Sequence, residues 1–251
     1  MFRAEKNPDE EALLGRINDA LAPGHDAELV DVPAECPSVF VTGTLRSGTT
    51  LLAQLCVSGL DVGYISNLAA AFWKAPVYGV RLQQKLIGDP SPSTFHADYG
   101  RTKEIDQPHE FNYFWSQHLG YRDWQLDPTY PVDWKRIDKI LNNIAVVFGR
   151  PVVYKAIVLG AFIEPLLTHC APSCVVVARR DPLQTAIAIL DMRRQRWGSE
   201  NAFGSMRPPD YPQLLGRPYW EQIAAQVHHQ WKQIDEGVAK SPSHRVLEVW
   251  Y

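Results

Sequence analysis

Two periodicities alternate along the chain. Short apolar runs with no helical spacing, Ser38-Val39-Phe40-Val41-Thr42, Pro151-Val152-Val153-Tyr154 and Cys174-Val175-Val176-Val177-Ala178, read as buried strands. Each precedes a stretch with apolar residues at helical spacing: Thr49 to Leu55, Ala161 to His169 and Leu183 to Arg194. A last strand, His244 to Val249, follows a long polar-apolar helix from Trp220 to Ala239. Apolar strands alternating with helices predict an α/β fold of three layers, with a central parallel sheet covered on both faces.

Outside this alternation lie two helical regions. Asn7-Pro8-Asp9-Glu10-Glu11 is a helix start, with a capping Asn, Pro in the first turn and acids at the positive end of the dipole. Leu13, Leu14, Ile17 and Leu21 then form one apolar stripe that Pro23-Gly24 should stop, giving a docking helix within an N-terminal lead-in, residues 1–36. Between the first strand-helix unit and the second strand, residues 67–148 read as a helical insertion rich in Trp, Tyr and Phe. Asp89-Pro90-Ser91-Pro92 and Asp127-Pro128 break it into pieces. With no repeat and no linker, residues 1–251 form a single domain.

Composition narrows the function. A chain of 251 residues that is 45% hydrophobic and 21% charged buries a sizeable core. Its net charge of -3 gives no global attraction to nucleic acid or an anionic membrane. The start has no apolar core of signal-peptide length, and no apolar run reaches the ~18 residues needed to span a bilayer. The expectation is a cytoplasmic protein with no nucleic-acid partner and no membrane span; the pattern fixes no oligomeric state. Cys36, Cys56, Cys170 and Cys174 form no CxxC pair, so they read as reduced, small apolar residues rather than metal ligands.

The chemistry concentrates where the first strand meets its helix. Gly43-Thr44-Leu45-Arg46-Ser47-Gly48-Thr49-Thr50 has the makings of a P-loop-like phosphate cradle: a tight turn, free backbone amides and a helix N-terminus flanked by hydroxyls. Nucleoside-triphosphate loops follow GxxxxGK[ST]; here Thr49 replaces the Lys, and the positive charge sits in the turn as Arg46. Without that Lys, ATP or GTP hydrolysis loses its reach to the β/γ-phosphates, and an anion held by a fork-shaped guanidinium fits better. Arg180 directly follows another buried strand, at the sheet edge where open α/β folds bind ligands, and Asp181-Pro182 starts the next helix. Arg179 must face the other way, toward an ion pair.

The run VTGTLRSGTTLL resembles the 5′-phosphosulfate loop of sulfotransferases that use 3′-phosphoadenosine-5′-phosphosulfate (PAPS), in the bacterial and Golgi-type branch with Arg in the loop. Val176-Val177-Ala178-Arg179-Arg180-Asp181-Pro182-Leu183 is similar to that family's strand-Arg-Asp-Pro-helix element, whose Arg holds the 3′-phosphate, and Lys155 stands where a Lys is usual. The resemblance covers residues 37 to 251. It implies transfer of a sulfuryl group from PAPS, the co-substrate, to a hydroxyl or amine of a small-molecule or carbohydrate acceptor, with no metal. Thr44, Arg46, Ser47, Gly48, Thr49, Thr50 and Arg180 would bind the nucleotide. Arg46, Lys155 and the amides of Ser47 to Thr50 would stabilise the leaving phosphate.

A base is also needed. The segment Asp106 to Trp115 offers Glu110, preferred by similarity to the Arg-loop branch, and His109; with Pro108 opening an aromatic helix, only one of the two would face inward. Phe72, Trp73, Lys74, Tyr78 and Arg81 are candidates for a pocket wall. Two positions depart from the family pattern. Ala188 stands where a Ser usually supplies a second donor to the 3′-phosphate, leaving Thr185 as the substitute. The chain also stops at Leu247-Glu248-Val249-Trp250-Tyr251, where relatives continue, which implies a C-terminally truncated form with an open 3′-phosphate site. A nucleotide-dependent phosphotransferase and a non-catalytic nucleotide-binding relative are the alternatives.

Overall fold

The computed structural model describes residues 7–88, 95–98, 100 and 102–251. The turn at Asp89-Pro90-Ser91-Pro92 lies outside the described residues. The chain order is α1 (Pro8–Glu28), β1 (Ser38–Gly43), α2 (Thr49–Gly59), β2 (Gly63–Tyr64), α3 (Asn67–Ala70), α4 (Pro76–Leu86), α5 (Asn112–Leu119), β3 (Tyr121–Arg122), β4 (Gln125–Leu126) and α6 (Trp134–Phe148). It continues with β5 (Val152–Lys155), a 3₁₀ turn (Ile157–Ala161), α7 (Ile163–His169), β6 (Ser173–Arg179), α8 (Pro182–Trp197), α9 (Tyr211–Leu214), α10 (Tyr219–Ala239), a second 3₁₀ turn (Ser243–Arg245) and β7 (Val246–Trp250).

A five-stranded sheet of order β2-β5-β1-β6-β7, parallel throughout, forms the middle layer. Alternation along β1 and its neighbours fills both faces. Phe40, Tyr154, Val175 and Val177 face one side, against Trp115 of α5, Ile140 and Ile144 of α6 and Leu166 of α7. Val41 and Val153 face the other, against Ala53 and Val57 of α2. Leu45, Ile189, Met192, Ile223 and Val227 make a third cluster joining the turn after β1 to α8 and α10. Register decides what this core displays: Val41 pairs with Lys155 and Gly43 with Ala178, so β1, β5 and β6 end together at one edge.

Three expectations change. First, α1 does not stop at Pro23-Gly24 but runs through it to Glu28, and its stripe is not its buried face: Leu13 and Ile17 are exposed while Asn18 and His25 are buried. The docking is polar. Asn18 donates from Nδ2 to the Ala71 carbonyl at 2.8 Å and accepts the Lys74 amide at 2.8 Å. Beyond the proline, His25 Nε2 accepts the Val77 amide, and Glu28 accepts from Tyr78 and Arg81. These contacts offset the hydrogen bond that Pro23 removes. Second, the strand following β1 is the two-residue β2, ahead of the insertion. Third, the insertion is not wholly helical, since β3 and β4 form an antiparallel hairpin with Tyr121 opposite Leu126. Asp127-Pro128 does break it, with Asp127 Oδ1 accepting the Thr129 amide at 2.9 Å. Among the described residues no helix is long and apolar enough to cross a membrane.

Candidate functional site

The turn leaving β1 is built around two special backbone positions. At Gly43 a Cβ would come within 2.5 Å of the Ala178 carbonyl oxygen and 2.6 Å of Ser47 Oγ, so only glycine lets β1 lie this close to β6 and its own loop. At Gly48 the backbone is left-handed, with φ 90°, and opens α2. Among the described residues no side chain caps this helix, so the amides of Gly48, Thr49 and Thr50 stand at its positive end. A cavity of about 260 Å³ lies against them, lined by Arg46, Gly48, Thr49, Thr50, Arg180 and Glu110 among others.

Ser47 does not join these donors. Its amide and its hydroxyl both turn back to the Thr44 carbonyl, at 3.1 and 2.8 Å, and it is fully buried, so it closes the turn instead. Thr44 and Thr185 are also buried, each with an Oγ1 that has no hydrogen-bond partner among the described residues, and neither lines the cavity.

The paired arginines after β6 separate as their alternation requires. Arg179, 5% exposed, donates from Nε to Glu248 at 2.5 Å and from Nη2 to Asp235 at 2.6 Å, and lies over the Trp231 ring. Arg180 turns to the cavity, donating from Nη1 to the Arg46 carbonyl at 3.0 Å, with its guanidinium 5.2 Å from the centre of the Tyr251 ring.

Lys155, at the end of β5 and 5% exposed, pairs with Glu110 Oε1. Asn112 Nδ2 donates to the other Glu110 oxygen at 2.6 Å. Burial pushes the Glu110 carboxyl up, but the Lys155 charge and hydrogen bond, with help from Asn112, outweigh it and hold Glu110 below the usual carboxylate range.

Pro108 does not open a helix. The segment is extended, with Pro108 bridged to Ser66 and the His109 amide donating to the Ile65 carbonyl at 2.8 Å; α5 begins only at Asn112, after a left-handed Phe111. The rule that only one of His109 and Glu110 faces inward therefore lapses, and both line a second cavity of about 480 Å³. His109 Nδ1 accepts the Phe111 amide at 2.8 Å, which leaves the proton of a neutral ring on Nε2.

Trp73, Tyr113, Tyr121 and Trp124 give this second cavity aromatic walls, with Trp73 and Tyr113 rings 4.6 Å apart. Of the proposed wall residues only Trp73 reaches it. Lys74 pairs with Asp19, Tyr78 and Arg81 bind Glu28, and Phe72 is not part of the lining. Glu110 and Gly100 border both cavities, and a side chain on Gly100 would meet Thr50 Oγ1, Glu110 Oε1 and Lys155 Nζ at 3.4, 3.6 and 3.9 Å. Asn112, Gly100 and Trp124 carried no sequence signal, because each depends on contacts made by distant elements. Among the described residues no three His, Cys, Asp or Glu side chains gather as a metal site would need.

A glycine-punctuated loop running from the central strand into a helix N-terminus, at the carboxyl edge of a parallel sheet flanked by helices, makes this a P-loop-like α/β fold. Two solved structures share it. Sulfotransferase STF9 from Mycobacterium avium superposes with a TM-score of 0.56 at 15% identity, over 97% of this chain and 66% of that one. Sulfotransferase STF1 from Mycobacterium tuberculosis H37Rv superposes at 0.51 with 16% identity, over 95% of this chain and 67% of that one. The chain thus spans about two thirds of the length of these structures, and at such identities the likeness is one of fold. No protein-family model matches the chain, and no curated protein matches it significantly.

Proposed function

We propose that this protein is a sulfotransferase that moves a sulfuryl group from PAPS to a hydroxyl or amine of a small-molecule or carbohydrate acceptor. The observation that carries the reading is the Glu110–Lys155 pair, where the cavity holding the phosphate loop meets the aromatic-walled cavity. A donor and an acceptor approaching from opposite sides meet at one acid and one base.

PAPS suits the residues present: the start of α2, Arg46 and Arg180 complement its phosphates, and it supplies the activated sulfuryl group. Lys155 and the α2 amides hold the phosphate oxygen that gathers charge as its bond to sulfur breaks. Glu110 takes the proton of the acceptor hydroxyl as the new sulfur–oxygen bond forms. Lys155 serves both ends, since a phosphate that draws the ammonium away from Glu110 restores basicity to the carboxylate. His109 lines the same aromatic-walled cavity, but with Nδ1 taken by the Phe111 amide and the proton on Nε2 it would have to release that hydrogen bond before it could act as the base instead.

Titration calorimetry tests the reading. The protein should bind adenosine 3′,5′-bisphosphate in preference to ATP, and Arg46→Ala should weaken that binding by ~1.5–3 kcal/mol, the usual worth of a charge-assisted hydrogen bond. Equal affinity for the two nucleotides would sink it.

A further inference from the structure

The phosphate loop contains a strained residue. Arg46 has a backbone φ of 66°, in the left-handed region that residues other than glycine seldom adopt. Such a conformation persists only where the surroundings over-determine it. Two hydrogen bonds, one to Arg46 and one from its neighbour Leu45, hold this backbone. Arg180 Nη1 donates to the Arg46 carbonyl at 3.0 Å. The Leu45 amide donates to Gln230 Oε1 at 2.7 Å, across 185 residues of sequence. Leu45 and Gln230 are both buried, so without the carboxamide oxygen this amide would have no water to replace it.

Gln230 is itself held in one orientation. It follows Gln222 and Gln226 at successive four-residue steps along the buried face of α10. Gln226 Nε2 donates to the Gly204 and Met206 carbonyls at 2.8 and 3.0 Å, and Gln230 Nε2 reaches the same Met206 oxygen at 3.5 Å. A carboxamide with its nitrogen against a carbonyl and its oxygen against an amide satisfies both only in this sense; turned over, it would face like against like.

We propose that Gln230 is a positioning residue of the phosphate loop. It draws the Leu45 amide out of the cradle and, together with Arg180, keeps Arg46 left-handed, so that the amides of Gly48, Thr49 and Thr50 are the ones presented to the 5′-phosphate. This rests on the reading that the loop receives the 5′ end of an adenosine nucleotide.

The test compares two nucleotides that differ only in the phosphate the loop would hold, adenosine 3′,5′-bisphosphate and adenosine 3′-phosphate. Calorimetry on wild type should show a clear preference for the bisphosphate. Gln230→Met, similar in volume but with no oxygen, should cut that preference about tenfold while leaving adenosine 3′-phosphate affinity within about twofold. A merely structural role would weaken both nucleotides together, and that result, or an unchanged preference, overturns the proposal. A wild type that does not distinguish the two nucleotides removes the loop as the 5′-phosphate site, and the proposed function falls with it. Should Gln230→Met not fold, Gln230→Asn, one methylene too short to reach, carries the same expectation. Amide exchange on wild type gives an independent reading: the Leu45 amide should be protected in the free protein, and rapid exchange there overturns the assignment.

Discussion

Glu110 is held by Lys155 on one oxygen and by Asn112 on the other, so in the free protein it is an ionised carboxylate with a lowered pKa. A base is active only when deprotonated, so activity should persist on the acid side down to below the usual glutamate range. An imidazole base would lose activity at higher pH, since the ordinary imidazole range lies above that of a carboxylate. The profile of kcat/KM, which reports the free enzyme, therefore separates Glu110 from His109 even though both line the aromatic-walled cavity. Glu110→Gln should lower turnover by ~10²–10⁴-fold and leave nucleotide affinity nearly intact, whereas His109→Asn should do much less. Single-turnover transfer of a radiolabelled sulfuryl group measures both, and the reverse order would move the base to His109.

At the scale of the element, the sequence was legible where structure is local and opaque where it is not. The strand ends bearing Gly43, Lys155 and Arg180 stood out because buried β strands are continuous apolar runs, and the loop because its glycines and hydroxyls are adjacent in sequence. The two-residue β2 has no period to detect. The α5 start was misplaced because the His109 amide bonds to Ile65, some forty residues earlier, and Pro23 failed to stop α1 because α4 holds its last turns through Val77, Tyr78 and Arg81. Tertiary contact overrode propensity in both helices.

These elements also carry a pH response. Burial lowers the pKa of His118 on α5 to about 4, with the Arg136 charge adding to it and Asp133 and Asp26 opposing it, and burial lowers that of His25 on α1 despite its Asp26 partner. Unfolded histidine titrates near ~6.5, so between that value and about 4 the unfolded chain binds more protons than the folded one. The stability the neutral His118 ring contributes is therefore complete above the unfolded value and lost as pH falls through this window, at no more than ~1.4 kcal/mol per pH unit; His25 acts in the same direction. Urea midpoints for His118→Gln should fall less steeply from pH 6.5 to pH 4.5 than those of wild type. Parallel curves would place the acid sensitivity elsewhere.

Across the whole molecule, one strand end divides the labour of holding the sheet together from that of meeting the ligand. Arg179 ties β6 to Asp235 of α10 and to Glu248 of β7, and stacks on Trp231, so three elements converge on a side chain that is 5% exposed. Arg180, the next residue, bonds the Arg46 carbonyl, lies over the Tyr251 ring and lines the cavity beside the loop. Both carboxylates on Arg179 retain contact with water, which lessens the cost of losing their partner, so Arg179→Leu should destabilise by ~1–3 kcal/mol rather than by the larger penalty of a fully buried pair. Nucleotide affinity should stay within about twofold, since the side chain points away from the cavity. Arg180→Leu should do the opposite, weakening adenosine 3′,5′-bisphosphate by ~1.5–3 kcal/mol with little change in the urea midpoint. Both effects follow from a parallel sheet whose last residues alternate between core and edge. If the two variants lost stability and affinity in equal proportion, the division would be untrue, and the cavity beside the loop would depend on the packing of α10 and β7 as much as on any single cation at its rim.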